Sequence, residues 1–321
     1  MEILYLVVPC YNEQEVLHET CSRLTAKLTG LIQQGRVSPK SRMLFVDDGS
    51  RDETWNIIQA LHGENPLVSG LKLSRNRGHQ NALLAGLMTA KELCDVSISL
   101  DADLQDDVDA IDRFLDQHQQ NGCGVVYGVR SSRKTDTFFK RNSALAFYKM
   151  MKFLGVDIVY NHADYRLMSK QALEALSEFE EVNLFLRGMV PLVGFKSGTV
   201  EYERHERFAG SSKYPLKKML SFAFDGITSF SVKPIRMVLG LGALIFAASI
   251  LILIYFLITK LLGFAVPGWT SIVCSIWMIG GIQLLCLGMI GEYIGKIYKE
   301  VKHRPRYTIE AFLNDDPSDK H

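Results

Sequence analysis

The chain carries no surplus of charge. Its 36 lysines and arginines face 35 aspartates and glutamates, for a net charge of +1, so the basic footprint that nucleic-acid binding needs is missing. Six cysteines (Cys10, Cys21, Cys94, Cys123, Cys274 and Cys286) form no CxxC pair and no Cys/His grouping. Zinc is not expected, and reduced thiols facing a cytosolic environment are. The N-terminus has no basic region ahead of a long apolar stretch, because Ile3 to Pro9 is only strand length; no cleaved signal peptide is expected. Neither GxxxxGKS/T nor GxGxxG follows that first apolar run, so the P-loop and dinucleotide fingerprints do not apply. A diphosphate bound here would have to be neutralised by a metal and by side chains.

What is present is alternation. The 321 residues fit one large domain or two modest ones, with the excess of apolar residues after position 234. Short apolar runs at residues 3–9, 43–46, 68–73, 96–100 and 124–127 read as strands, and a further strand is expected over residues 197–202. Between them, residues 14–34, 52–62, 79–93 and 107–121 read as helices, the first carrying Val16, Leu24, Leu28 and Leu31 at helical spacing. Such alternation implies crossover units and a mainly parallel sheet, with ligands at the carboxyl ends of the strands.

Each early strand ends in polar chemistry: Tyr11-Asn12-Glu13, Asp47-Asp48-Gly49-Ser50, Ser74-Arg75-Asn76 and Asp101-Ala102-Asp103-Leu104-Gln105. Taken singly each is a turn or a helix cap; taken together they mark a ligand site. In an extended chain Asp101, Asp103 and Gln105 would share one side and offer hard oxygen ligands to Mg²⁺ or Mn²⁺. Basic residues follow later. Arg130, Arg133, Lys134, Lys140 and Arg141 form one group, and Arg204 to Tyr214, with Arg207, Ser212 and Lys213, forms a second around a Gly-Ser-Ser segment suited to phosphate oxygens. For Arg133 and Lys134 a solvated positive loop is the preferred reading. Asp164, in His162-Ala163-Asp164-Tyr165-Arg166-Leu167-Met168, admits three roles: base, orienting group, or structural partner of Arg166.

Residues 237–258 and 270–291 are uncharged runs, each near the ~20 residues a bilayer span requires. Lys213, Lys217, Lys218, Lys233 and Arg236 precede the pair, Lys296, Lys299, Lys302, Arg304 and Arg306 follow it, and only Lys260 lies between. The positive-inside rule then assigns the large domain and the C-terminus to the cytoplasm. Residues 215–232 interleave Leu216, Met219, Leu220, Phe222, Phe224, Ile227 and Phe230 with Lys217, Lys218 and Asp225, the pattern of a helix lying in the interface. Gly291 and Gly295 have GxxxG spacing.

The set PCYNE, DDGS, DADLQ and RFAGSSKY, followed by two C-terminal spans, resembles the polyprenyl-phosphate glycosyltransferases of the GT-A fold, and within them the bactoprenol (undecaprenyl-phosphate) glucosyltransferases most closely. The resemblance implies a Rossmann-like α/β catalytic domain over residues 1–214, an interfacial helix over 215–234, two transmembrane helices within 235–295 and a cytosolic tail over 296–321. It implies an inverting transfer of one sugar from a nucleotide sugar, with UDP-glucose favoured, to a polyprenyl phosphate at the plasma (inner) membrane, for cell-envelope glycan modification. By the same resemblance Pro9, Tyr11, Glu13, Asp48 and Asp101 hold the donor, and Asp103 and Gln105 hold Mg²⁺ or Mn²⁺. Arg130 and Arg141 receive the lipid phosphate, and Arg207, Ser212 and Lys213 close over the phosphates. Asp103, Asp164, Arg207 and Lys213 form the catalytic set, and a homo-oligomer, a tetramer in some members, is implied. A processive polysaccharide synthase would need more spans and a QxxRW-type motif, both missing here. A nucleotidyltransferase needs no spans, and a silent nucleotide-sugar-binding scaffold needs no intact carboxylates. Because a phosphate monoester has a second pKa of ~6 and is largely dianionic near neutrality, transfer to it needs no strong base. Asp164 is therefore expected to orient first and act as a base second.

Overall fold

The fold is that of a computed structural model that describes residues 1–130, 162–182, 184–203 and 268–314, with scattered positions between 235 and 262. Strand β1 (Leu4–Cys10) is buried along its whole length. Leu4, Leu6, Val8 and Cys10 point into one apolar cluster, and Tyr5 and Val7 into another. Both faces of the sheet are therefore covered, which is why the strand reads as a continuous apolar run and not as an alternation.

One face is covered by α1 (Leu17–Gln33), α2 (Thr54–Glu64) and α4 (Ala110–Asn121), whose buried residues include Leu24, Leu28, Ile58, Ile111 and Phe114. The other is covered by α3 (His79–Lys91), α5 (Lys170–Ser177) and α6 (Leu186–Leu192). The remaining strands are β2 (Arg42–Asp47), β3 (Val68–Leu73), β4 (Val96–Ser99), β5 (Val125–Arg130), β6 (His162–Ser169), β7 (Ser197–Tyr202) and β8 (Ile309–Leu313), in the spatial order β7-β5-β6-β4-β1-β2-β3-β8. Six run the same way. β6 and β8 run against their neighbours, so the sheet is mainly parallel, as expected, and mixed by these two strands.

Neither antiparallel strand was expected from the sequence. β6 lies between β4 and β5, with Ser99 opposite Arg166 and Tyr127 opposite Arg166 on its other side. At its end Ser169 caps α5, its hydroxyl accepting from the Ala172 N–H at 3.3 Å, so strand passes into helix without a loop. β8 comes from the segment expected to be a tail. It adds to the outer edge of β3 with Leu71 opposite Phe312 and Leu73 opposite Ile309. The Ser74 N–H donates to the Thr308 carbonyl at 3.0 Å, and Lys72 meets Glu310 at 2.7 Å.

The last helix, α7 (Trp269–Val301, 33 residues), is about 50 Å long at ~1.5 Å per residue. It contains the expected run 270–291 and continues past the boundary drawn at 295. Its segment Met278–Val301 is long and apolar enough to cross a membrane, and Ile276, Met278, Leu284 and Leu287 along it are exposed. Its C-terminal end is tied to the sheet domain, because Glu300 accepts from the Val182 N–H at 2.8 Å. Just beyond, Arg306 donates to the Phe179 carbonyl at 3.0 Å. The expected interfacial helix over 215–234 lies outside the described residues, and the run 237–258 is described only at scattered positions.

Candidate active site

The carboxyl ends of β1, β2, β3 and β4 lie along one edge of the sheet. Pro9 is buried within β1, and Tyr11 and Glu13 stand half-buried just beyond it. Cross-links hold that loop to the next one. Asn12, at φ 52°, donates its N–H to Ser50 Oγ at 2.9 Å and accepts from the Arg51 N–H at 2.9 Å, while the Glu13 N–H donates to Thr54 Oγ1 at 2.9 Å. Asp48 is buried, and its two oxygens accept from the backbone N–H groups of Arg77 at 2.7 Å and Gly78 at 2.9 Å. Burial pushes its carboxyl up while these two donors oppose the shift. This expected donor residue therefore supports the loop that leads into α3. Gly49 allows the approach: at φ +63°, a Cβ there would lie 2.5 Å from the Arg75 carbonyl carbon.

The segment Asp101–Asp106 was expected to continue β4 as extended chain, with alternate side chains converging. It turns instead. Leu104 sits buried at φ 58°, a left-handed conformation that costs a branched residue about 1–2 kcal/mol. The turn is held from inside by the Gln105 N–H donating to Asp103 Oδ1 at 3.2 Å, and from outside by Thr20 Oγ1 donating to the Ala102 carbonyl at 2.8 Å. Tertiary contacts and a strained turn, not strand alternation, thus bring the carboxylates together. Burial raises the Asp101 carboxyl, and the charges of Asp164 and Asp103 raise it further against His79. Asp106 is pushed up to about 6 by burial and by Asp101.

Asp164 arrives from the antiparallel strand β6, whose first residues lie beside the last residues of β4. The Ser99 hydroxyl donates to its carbonyl at 2.5 Å. Its carboxylate is gripped from three sides. Arg187 on α6 bridges both oxygens, at 3.2 and 3.1 Å, Arg166 Nη2 donates at 3.1 Å, and His79 Nε2 lies 3.6 Å away. Burial alone would raise the pKa of Asp164, but Arg187, His79 and Arg166 together hold it well below the carboxylate range. His79 also lies 3.7 Å from Asp101, and the two carboxylates raise it to about 9 against the effect of burial. The neighbouring Gln80 accepts from the Leu186 N–H at 2.8 Å, fixing α6 to the start of α3.

Arg130 ends β5 and reaches back to the acidic turn: its Nε donates to Tyr202 Oη at 3.3 Å, and that hydroxyl donates to Asp106 Oδ1 at 2.6 Å. Arg141, Arg207, Ser212 and Lys213 lie outside the described residues. Among the described residues no group of three or more His, Cys, Asp or Glu forms a ready metal cage. A hard cation bound largely through substrate phosphates needs only one or two protein carboxylates. The turn offers oxygens of that kind, and the mutual repulsion of Asp101, Asp103 and Asp106 is the strain a cation would relieve, so a divalent ion fits. His79, Gln80, Arg187, Asp106 and Tyr202 were missed as functional residues by sequence reasoning. His79 follows the polar end of β3 and carried a weak signal; Arg187 carried none, because its helix depends on packing for its definition.

Residues 5–177 match glycosyl transferase family 2, and residues 233–297 match the GtrB C-terminal hairpin. The chain is 55% identical over 314 residues to the uncharacterized glycosyltransferase YkoT of Bacillus subtilis, covering 98% of this chain and 93% of that one. It is 38% identical to the bactoprenol glucosyl transferase of Shigella phage SfII over 97% of this chain and 99% of the relative. Identity is again 38% to the prophage bactoprenol glucosyl transferase homolog of Escherichia coli K12, over 95% and 97%. Among solved structures, glucosyl-3-phosphoglycerate synthase from Mycobacterium tuberculosis, in complex with Mn²⁺, UDP and phosphoglyceric acid, shares 14% identity over 71% of this chain and 76% of that one, with a TM-score of 0.43.

Proposed function

Since the chain belongs to glycosyl transferase family 2, we propose that it moves one glucose, with inversion, from UDP-glucose to undecaprenyl phosphate or a similar polyprenyl phosphate. It is a glycosyltransferase on a GT-A, Rossmann-like mixed sheet. The observation that carries the acceptor is the end-to-end match to bactoprenol glucosyl transferases, which spans the sheet domain and the C-terminal helical hairpin together.

The geometry is consistent with that chemistry. A lipid phosphate with a second pKa of ~6 is already a nucleophile; what the site has to supply is charge management between two anionic substrates. Asp164, engaged by Arg187, Arg166 and His79 and held at low proton affinity, suits an orienting anion and is a poor base. Asp103 and Gln105 would hold the divalent cation, Mg²⁺ or Mn²⁺, whose charge offsets that of the departing diphosphate. Pro9, Tyr11, Glu13 and Asp101 would line the donor side, with Asp48 supporting the adjoining loop. Arg130, with Arg141, Arg207, Ser212 and Lys213, would meet the acceptor and donor phosphates.

Two features of the fold support membrane attachment by a pair of spans. β8 is hydrogen-bonded to β3, so the chain on either side of residues 204–308 lies on one side of any bilayer. A single crossing by α7 would violate this, and the number of crossings must be even. The second comes from residues 237–258, as the uncharged run there suggests. Leu73 pairs with Ile309 at the carboxyl end of β3, so α7 rejoins the domain at the same sheet edge that carries Asp101 and Asp103. That edge would face the lipid, and a polyprenyl phosphate would arrive by lateral diffusion. Lysine and arginine flanks orient the domain and the C-terminus to the cytoplasm. Gly291 and Gly295, with open space where a Cβ would stand, suit a homo-oligomeric helix contact.

Membranes containing this protein, incubated with labelled UDP-glucose, undecaprenyl phosphate and Mg²⁺, should yield a lipid bearing a single sugar. No product with any UDP- or GDP-sugar overturns the proposal, and long polymer would assign a processive synthase instead.

A further inference from the structure

Arg130, Tyr202 and Asp106 come from the ends of β5 and β7 and from the residue after the acidic turn, and they meet in a buried chain. The Tyr202 hydroxyl accepts from Arg130 Nε at 3.3 Å and donates to Asp106 Oδ1 at 2.6 Å, while Arg130 Nη2 stands 4.0 Å from the same oxygen. Tyr202 is 1% exposed and Asp106 4% exposed. The second Asp106 oxygen has no hydrogen-bond partner among the described residues, so its charge is directed at its neighbours and not dissipated in water. The tyrosine cannot swing away. Its ring packs edge-on against Tyr165 with centroids 5.2 Å apart, and the Tyr165 hydroxyl is itself tied to the Asp107 carbonyl at 2.9 Å. On β5, two residues before Arg130, Gly128 makes room for this ring: a Cβ there would lie 3.0 Å from Tyr202 Cε1 and 2.8 Å from the Tyr165 carbonyl oxygen.

A flexible arginine at the mouth of a charged site has many rotamers, and fixing one side of its guanidinium lowers the entropy lost when the other side takes a phosphate. We infer that Asp106 and Tyr202 are positioning residues for the acceptor phosphate. They hold the Nε edge of Arg130 through the tyrosine hydroxyl and so fix the direction of its guanidinium beside the acidic turn. The inference rests on the proposed contact between Arg130 and the lipid phosphate. It separates two kinds of carboxylate within one six-residue segment, Asp103 for the cation and Asp106 for the arginine.

Steady-state kinetics on the full-length protein in detergent, with UDP-glucose and undecaprenyl phosphate varied in turn, test it. Tyr202→Phe keeps the ring and removes only the hydroxyl. It should raise the acceptor KM about tenfold, the lower end for losing one hydrogen bond to a charged group. The donor KM should stay at the wild-type value, while the melting temperature falls by a few degrees because the buried Asp106 carboxylate loses its donor. Asp106→Asn, which still accepts from the tyrosine hydroxyl, should recover much of the acceptor affinity lost in Asp106→Ala. Arg130→Ala, measured in parallel, distinguishes the two layers of the reasoning. An unchanged acceptor KM in Arg130→Ala overturns the acceptor reading of Arg130, and the inference with it. A raised KM in Arg130→Ala but not in Tyr202→Phe overturns the positioning role alone. Equal rises in both substrates' KM for Tyr202→Phe would mark a general structural loss and also overturn it.

Discussion

Replacing Asp164 by asparagine removes the carboxylate that Arg166, Arg187 and His79 share, and the consequence can be worked out from their environments. Arg166 is fully buried, and its Nε and Nη1 have no hydrogen-bond partner among the described residues, so Asp164 is the anion that keeps this guanidinium inside the domain. Removing one member of a buried ion pair costs about 3–5 kcal/mol, because the other is left uncompensated. Asparagine retains an acceptor oxygen for Arg166, which favours the lower end, about 3 kcal/mol. For a domain of roughly 200 residues that corresponds to a fall of about 6–12 °C in melting temperature. His79 loses its hydrogen-bonding carboxylate, and its pKa should fall from about 9 toward the ordinary imidazole range. Thermal unfolding of the detergent-solubilised protein, followed by tryptophan fluorescence, would measure the stability. Turnover at 25 °C with labelled UDP-glucose would measure the chemistry. An orienting anion predicts a large drop in melting temperature with reduced but measurable turnover. Asp103→Asn, by contrast, should abolish transfer while the protein stays folded, because it removes a ligand for the cation and not a structural counter-ion. If Asp164→Asn melted within about 2 °C of wild type and lost all turnover, Asp164 would be a base and the reasoning above would be wrong.

Three further outcomes are expected. The His79 pKa is raised to about 9 from the ordinary imidazole value of 6.5, so its contribution to stability is full below pH 6.5 and is lost as the pH rises through about 9. Solvent access to a third of the side chain reduces the nominal ~3 kcal/mol to about 1–2 kcal/mol, and His79→Gln should flatten that part of a denaturant-midpoint profile between pH 6 and 10. Gly49→Ala, strained at φ +63° and clashing with the Arg75 backbone, should cost about 2 kcal/mol or more; a midpoint equal to wild type in a urea titration would contradict the close approach. Phe312→Ala on β8, where the ring packs against the cluster under α3, should cost about 2–3 kcal/mol for a partly buried aromatic. It should also raise aggregation by weakening the cover over the β3 edge, as size-exclusion chromatography would report.

Local chemistry made much of this protein legible before any folding. Strands β1 to β5 and β7, and helices α1 to α4, announce themselves because buried strands are short β-rich apolar runs and covering helices carry an apolar stripe, both properties of contiguous residues. The acidic turn, the DDGS loop and Arg130 stood out because they end such runs. β6 did not, because its alternation of Asp164 and Arg166 with Tyr165 and Leu167 looks like an exposed charged segment. Both charged residues are in fact turned into the protein, where they neutralise each other. β8 was hidden for a different reason: Ile309–Leu313 is only five residues long with no buried position, and the open edge of β3 gives it its partner.

The sequence by itself determined the chemistry available at the site, carboxylates and amides at the carboxyl ends of successive strands, and two uncharged apolar runs of bilayer-spanning length. Tertiary structure alone decided how these groups are used. An antiparallel strand inserted next to β4 delivers Asp164 to the same edge as Asp101, and a left-handed leucine bends the acidic segment where strand alternation would have kept it straight. Side chains distant in the chain then divide the carboxylates among them: Asp48 to a backbone loop, Asp164 to two arginines and a histidine, Asp106 to a tyrosine. Asp103 stays within the turn, where it accepts from the Gln105 N–H. That division depends on distances across the sheet, and residues so far apart in the chain carry no local pattern from which to read it.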